Sequence, residues 1–310
     1  MVNSLLWLAA GLLLIILGAD ALVDGASAIA RKLKISEFVI GLTIVGFGTS
    51  CPELVVSVTG AIRGISDISI GNVIGSNVFN TLLILGLTAV ILPIAVTRNN
   101  KRRDIPTTML VTLLLVICGM TNGISRVEGI VFLALFIVYL YTCFKFDDGS
   151  STDENEAKPM GLFKAILFTL GGLAGLIFGG QWFVDSAVDV AHRLGVSDKF
   201  IAITLLAGGT SLPELAACVI AAAKKKGQLA LGNILGSNIF NILLILGCSA
   251  SIMPISFSGI DLVDIIILVV SIVLVWLSSY TFKKNEIDRW DGAVFLAAFI
   301  AYYVWLFIKL

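Results

Sequence analysis

The basic residues of this chain fall mostly in short clusters between apolar segments, and those segments are about 20 residues long. That length lets an α-helix cross the hydrocarbon layer of a bilayer. The segments lie near 4–28, 36–62, 68–93, 106–121, 124–144, 161–187, 197–223, 229–254, 260–280 and 288–308. Lipid offers a backbone no hydrogen bonds, which restricts such segments to helices that satisfy their own N–H and C=O groups. Only 14% of the residues are charged, against about 25% in a soluble domain. The expected fold is therefore an all-α polytopic membrane protein with ten transmembrane helices. Formal net charge is zero, which leaves no case for nucleic-acid binding. The N-terminus has no basic region and no small-residue cleavage site, so the first helix is expected to stay with the chain.

The longest hydrophilic stretch, KFDDGSSTDENEAKP at 145–159, reads as a flexible linker. It separates a first five-helix repeat (1–144) from a second (161–310), with 145–160 as a cytoplasmic linker. Lys and Arg set the orientation. Arg31, Lys32, Lys34, Arg98, Lys101, Arg102, Arg103, Lys145, Lys158, Lys164, Lys224, Lys225, Lys226, Lys283, Lys284 and Arg289 fall on one side, 16 of the 21. Arg63, Arg126, Arg193, Lys199 and Lys309 fall on the other. The positive-inside rule makes the first side cytoplasmic and puts both termini outside. The single histidine, His192, reads as a loop or helix-end residue on the outer side. Cys51, Cys118, Cys143, Cys218 and Cys248 form no CxxC pair and read as packing residues rather than disulfides or metal ligands.

The two halves repeat each other. GTSCPEL (48–54) returns as GTSLPEL (209–215), and GNVIGSNVFNTLLILG (71–86) returns as GNILGSNIFNILLILG (232–247), without a gap at an offset of 161. Weaker matches pair Gly18 with Gly179, Asp24 with Asp185, Ser36 with Ser197 and Pro93 with Pro254. The matched positions are polar or helix-breaking, so chance similarity among apolar segments does not explain them. Five is odd, so the second copy enters the membrane from the side opposite the first. Inverted-topology repeats of this kind hold the central site of secondary transporters. A ten-helix channel or enzyme is also compatible with the count alone.

Gly48 and Pro52 bracket the first motif, Gly209 and Pro213 the second. Proline removes a helical donor and clashes with the preceding turn, so a kinked or interrupted helix is expected at each. Glu53 and Glu214 sit behind these breaks; the segment around Glu53 holds no Lys or Arg, and the one around Glu214 only Lys199 near its start. A carboxylate in apolar surroundings is costly unless it is protonated or binds a cation. The nearby side chains are neutral oxygen donors: Thr43, Thr49, Ser50, Ser76, Asn77 and Asn80, and in the second half Thr204, Thr210, Ser211, Ser237, Asn238 and Asn241. Two carboxylates with hydroxyls, amides and carbonyls suit a hard cation such as Ca²⁺; zinc or copper would call for His or Cys. Small residues and amides also glue helices together in lipid. That structural role is the expectation for Gly71, Gly75, Gly232 and Gly236, and an alternative for Asn72 and Asn233 as braces of the broken helices. Asp24 and Asp185, nearer the helix ends, are expected to be structural or to line an entrance.

G-T-S-x-P-E followed by G-N-x-x-G-S-N-x-F-N, present in both halves, closely resembles the cation/calcium exchanger family, and within it the prokaryotic sodium/calcium exchangers. The resemblance covers nearly the whole chain. It implies a core of helices 2, 3, 7 and 8, with helices 1 and 6 sliding against it. It implies that Glu53 and Glu214 bind Ca²⁺ with help from carbonyls near Thr49 and Thr210. It further implies Na⁺ sites that share those carboxylates with Ser50, Ser76, Ser211 and Ser237 and with the carbonyls of Gly46 and Ala207, completed by Asn80 and Asn241. The implied stoichiometry is three Na⁺ per Ca²⁺, and the amides at 80 and 241, where potassium-dependent relatives typically carry an acidic residue, imply no potassium requirement. The expectation is a secondary active antiporter rather than an enzyme, in the plasma membrane of a prokaryote, with lipid, Na⁺ and Ca²⁺ as partners and no cofactor or obligate protein partner. A proton/calcium exchanger using the same glutamates is the alternative, since burial favours protonated carboxylates. The many neutral oxygens favour Na⁺, because a proton needs no such cage.

Overall fold

A computed structural model of the chain describes residues 2–121, 123–147, 160–195, 207–257, 260–280 and 285–309. The start of the expected segment 197–223, with Ser197, Lys199 and Thr204, lies outside the described residues, as do 148–159 of the linker. The first half contains α1 (Val2–Leu33), α2 (Glu37–Thr49) and α3 (Cys51–Ile62). Next comes α4, which runs from Ser66–Val78 through a π-helical segment, Phe79–Ile84, to Leu85–Ile91. The strand β1 (Ile94–Ala95), α5 (Asn100–Met120) and α6 (Arg126–Lys145) follow. In the second half lie α7 (Leu162–Arg193), α8 (Ala207–Gly209), α9 (Leu212–Ala223), α10 (Gly227–Ile252), α11 (Leu262–Ser278), β2 (Glu286–Ile287) and α12 (Arg289–Lys309).

Among the described residues seven helices are long and apolar enough to cross a membrane, or eight if the bent pair α2–α3 is one span; α9 and α11 are shorter apolar helices. The chain is thus a multi-pass, helical membrane protein. Helix α5 starts at Asn100 rather than near 106, because a π turn at Asn100–Asp104 opens it. That turn buries Asp104, which pairs with Arg103 at 2.7 Å and accepts the Tyr139 hydroxyl at 3.1 Å, so a charged sequence is carried inside the helix. His192 lies in the last turn of α7, and all five cysteines are free.

Both expected breaks occur where the prolines sit. α2 and α3 meet at Ser50 with a bend of 49°. Pro52 occupies the first turn of α3 and Pro213 the first turn of α9, where a missing N–H costs no hydrogen bond. The hinge residues have matching backbones: Ser50 at φ −82°, ψ 6° and Ser211 at φ −90°, ψ 7°.

The helices carrying the repeated motifs form the centre. In its most apolar stretch α10 is 94% buried within the protein and α4 67%, against 17–39% for α1, α5, α6, α7 and α12. Those outer helices turn large apolar side chains outward, among them Leu6, Ile137 and Phe163, as lipid-facing surfaces do.

Helices α1 and α7 cross antiparallel along a seam of glycines. A Cβ at Gly11 would lie 2.7 Å from the Phe183 nitrogen, and one at Gly172 would lie 2.5 Å from the Leu22 nitrogen. Such approaches admit no side chain. Adding 161 to the first-half number and subtracting it from the second-half number converts each of these contacts into the other. The same holds for Gly18 against Leu176 and Gly179 against Ile15. Reciprocity of this kind is the mark of a two-fold relation. A cross-half link recurs at the edges: β1 pairs with β2 through Ile94 and Ile287, and Ile255 pairs with Ile124.

Candidate cation site

The two hinges bring the repeated motifs face to face. Ser50 Oγ lies 2.9 Å from Glu214 Oε1, and Ser211 Oγ lies 3.2 Å from Glu53 Oε1. Each serine also reaches the other half's motif serine, Ser50 to Ser237 at 3.0 Å and Ser211 to Ser76 at 3.4 Å. These four contacts again interchange under the offset of 161. A hydroxyl has one proton. Ser50 therefore donates to the Glu214 carboxylate and accepts from Ser237, and Ser211 does the same for Glu53 and Ser76.

All six of these side chains are buried, yet the set is not closed. Glu53 Oε2 and Glu214 Oε2 have no hydrogen-bond partner, nor do Asn80 Oδ1, Asn241 Oδ1, Asn238 Oδ1 and Thr210 Oγ1. Buried acceptors without donors are costly, and a cation would satisfy the six on the repeated motifs. No Lys or Arg reaches either glutamate among the described residues. The ion pairs sit at helix ends instead, as in Lys226–Glu37 at 2.7 Å and Lys224–Asp24 at 2.6 Å. No group of three or more His, Cys, Asp or Glu forms among the described residues. The donors are two carboxylates among neutral oxygens, the set that suits a hard ion.

The remaining expected residues divide. Thr49 Oγ1 hydrogen-bonds Val45 O at 3.0 Å and Asn233 Oδ1 at 3.2 Å. The Gly46 carbonyl accepts the Ser50 N–H at 3.1 Å. Ala207 opens α8. Asn80 and Asn241 both lie in π-helical segments, Phe79–Ile84 and Phe240–Leu246. π segments disturb the hydrogen-bond ladder and recur at functional sites. Thr43 is not brought in: its hydroxyl donates to Val39 O at 2.6 Å within its own helix. Asp24 pairs with Lys224 rather than with anything at the site.

Several supporting contacts were not readable from the motifs. Asn77 donates to the Asn238 carbonyl at 3.2 Å and accepts from Asn241 at 2.8 Å, while Asn238 donates to Thr81 at 2.7 Å. Asn72 braces the first break, reaching Glu53 O at 3.2 Å and Ser57 Oγ at 3.0 Å. Asn233 braces the second through Cys218 Sγ at 3.2 Å, so this cysteine does more than fill space. The repeat did mark these asparagines as paired positions; it carried no sign of which partner each would take.

Known proteins place the chain. The pattern of the family described as sodium/calcium exchanger protein matches residues 3–145 and 164–308. The "Putative antiporter CaxA" of Alkalimonas amylolytica is 39% identical, over 99% of this chain and 99% of its own length. The sodium/calcium exchanger MaX1 of Methanosarcina acetivorans is 35% identical, over 96% of both chains. A solved structure of the sodium-calcium exchanger NCX_Mj, soaked with Na⁺ and Ca²⁺, superposes with a TM-score of 0.87 at 36% identity, covering 98% of each chain. With both of its halves matched and the relatives aligned end to end, the chain belongs to the sodium/calcium exchanger family.

Proposed function

We propose that this chain exchanges Na⁺ for Ca²⁺ across the plasma membrane of a prokaryote by alternating access to a site around Glu53 and Glu214. The observation that carries the proposal is the set of buried, partnerless oxygens on the two motifs, headed by one oxygen of each glutamate. Ca²⁺ is bound by the two carboxylates with the carbonyls of Thr49 and Thr210. Na⁺ occupies positions shared with Ser50, Ser211, Ser76 and Ser237 and with the carbonyls of Gly46 and Ala207. Asn80 and Asn241 supply amide oxygens to the centre. Two carboxylates carry a charge of −2, which one Ca²⁺ or several Na⁺ neutralise, so the two loads compete for one charge pair.

Three Na⁺ per Ca²⁺ moves one net charge per cycle, and a membrane potential then contributes about 2.3 kcal/mol per 100 mV. Na⁺ running inward drives Ca²⁺ outward. An empty, doubly negative site resists crossing an apolar barrier, which limits uncoupled leak. Amides at 80 and 241 favour potassium independence. The architecture in this reading is ten spans in two five-helix halves of inverted topology, with both termini outside. Antiparallel, reciprocal contacts between α1 and α7 support the inversion, and the Lys/Arg asymmetry of the connecting segments supports the orientation.

The test is ⁴⁵Ca²⁺ uptake into sealed proteoliposomes loaded with Na⁺, K⁺ or acid. Uptake is expected with an outward Na⁺ gradient and without K⁺, and the sign of its response to voltage reads the stoichiometry directly. With three Na⁺ leaving per Ca²⁺ entering, net positive charge leaves, so inside-positive potential accelerates uptake and inside-negative potential slows it. Uptake driven by protons and not by Na⁺ would replace this reading with proton/calcium exchange.

A further inference from the structure

The halves share a repeat but not all of its contacts. Helix α9 lies along α1, and the residue that caps its C-terminus, Lys224, reaches Asp24 Oδ1 at 2.6 Å and Asp20 Oδ1 at 2.8 Å. Shifted by 161, the same contact would set α3 against α7, with Arg63 facing Asp185 and Gln181. Arg63 is the C-terminal cap of α3, so both motif helices end on a basic residue. Yet α3 and α7 are not packed on each other. Arg63 and Asp185 are both exposed, and neither has an ion-pair partner among the described residues. Asp185 instead lines a cavity of about 340 Å³ between the start of α1 and the end of α7, beside Trp7 and Trp182.

We propose that Lys224 and Arg63 are alternating latches. The α1–α7 pair, held together by its glycine seam, moves as one body between α9 and α3. Leaning on α9 it forms Lys224–Asp24 and closes that end, the arrangement in this structure. Leaning on α3 it forms Arg63–Asp185, closes the opposite end and releases Lys224. The physical ground is the two-fold relation itself: when one of two equivalent contacts is made and the other is open, exchanging them yields a second packing of comparable contacts. Such a swap is how a repeat protein reaches two states. The residues at the swap are not identical. Lys224 finds two carboxylates, Asp20 and Asp24, whereas Arg63 would find Asp185 and the neutral Gln181, which favours the Lys224-closed state. Each pair is partly exposed, and such pairs bias an equilibrium by about two- to fivefold, enough to hold an end shut without locking the cycle.

The latch rests on the exchange reading only for its purpose, and the experiment separates the two. Full-length protein in sealed vesicles carries either Asp24→Cys/Lys224→Cys or Arg63→Cys/Asp185→Cys, with disulfides identified by mass spectrometry of the digested protein. Both pairs are expected to crosslink, and adding Lys224→Gln to the second pair is expected to raise its crosslinking rate two- to fivefold. Absence of the 63–185 crosslink in protein that exchanges Na⁺ for Ca²⁺ would overturn the latch. Crosslinking at both pairs in protein without Na⁺-driven Ca²⁺ flux would sustain the latch and remove the exchange reading instead. Charge reversal gives a second readout: Arg63→Asp is expected to slow exchange two- to fivefold and Arg63→Asp/Asp185→Arg to recover it. A double variant no faster than the single one would count against the swap.

Discussion

The two halves are nearly identical at the site and unlike at its edges. Ser50 and Ser211 make the same contacts with exchanged partners. One shell out, Asn72 reaches a hydroxyl, Ser57, where Asn233 reaches a thiol, Cys218. Thr81 accepts from Asn238, and its counterpart in the second half is Ile242. Further out still, α9 is packed on α1 while α3 stands away from α7. The contacts at the hinges are symmetric, and the packing around them is not. In the proposed latch, this difference is what one of two packings displays.

Substitutions in matched pairs can break this comparison. The largest effect is expected from Glu53→Gln and Glu214→Gln. Removing one charge from a buried ion site costs about 3–5 kcal/mol, a loss of at least about 100-fold in Na⁺-driven ⁴⁵Ca²⁺ flux, and equal in the two variants. Retained flux in one of them would end the equivalence of the halves. Next come Ser50→Ala and Ser211→Ala, each deleting a hydrogen bond to a carboxylate, worth about 1.5–3 kcal/mol. Roughly 10- to 100-fold weaker apparent ion affinity is expected in both, read from the Na⁺ and Ca²⁺ concentration dependence of flux.

At the glycine seam, Gly11→Leu and Gly172→Leu should each destabilise the fold by about 1–3 kcal/mol through overpacking. Thermal unfolding in detergent checks this, and unequal shifts would show where reciprocity of the seam fails. Thr81→Ile makes the first half resemble the second and strips Asn238 of an acceptor. It should cost about 1–2 kcal/mol in the same assay. The smallest effect belongs to Cys218→Ser, which copies Ser57: a change within about 0.5 kcal/mol, since a hydroxyl accepts from Asn233 as the sulfur does.

Much of the centre was legible in advance. Glu53 and Glu214 announced themselves as carboxylates without counter-charges, and Pro52 and Pro213 as breaks, because each depends on the residue and its immediate neighbours. The π segments around Asn80 and Asn241 were not legible. Apolar stretches such as FNTLLI and FNILLIL are ordinary α-helical sequence, and the wider turn is imposed by what packs around them. The opening of α5 at Asn100 is not legible for a related reason. Its charged run, NKRRD, reads as a loop until Tyr139 and Arg103 are seen to satisfy Asp104.

By itself the sequence determined a helical membrane protein, a twofold repeat, two interrupted helices and a pair of glutamates among neutral oxygens, since burial in lipid and the loss of a proline's N–H act locally wherever the chain goes. Only the tertiary structure decided that each hinge serine serves the opposite half's glutamate, that Asn233 leans on Cys218, and that among the described residues Lys224 rather than Arg63 holds an acidic partner. Those are choices between contacts of similar energy made by residues far apart in the chain. A repeat of 161 residues states both options equally, and packing has to take one.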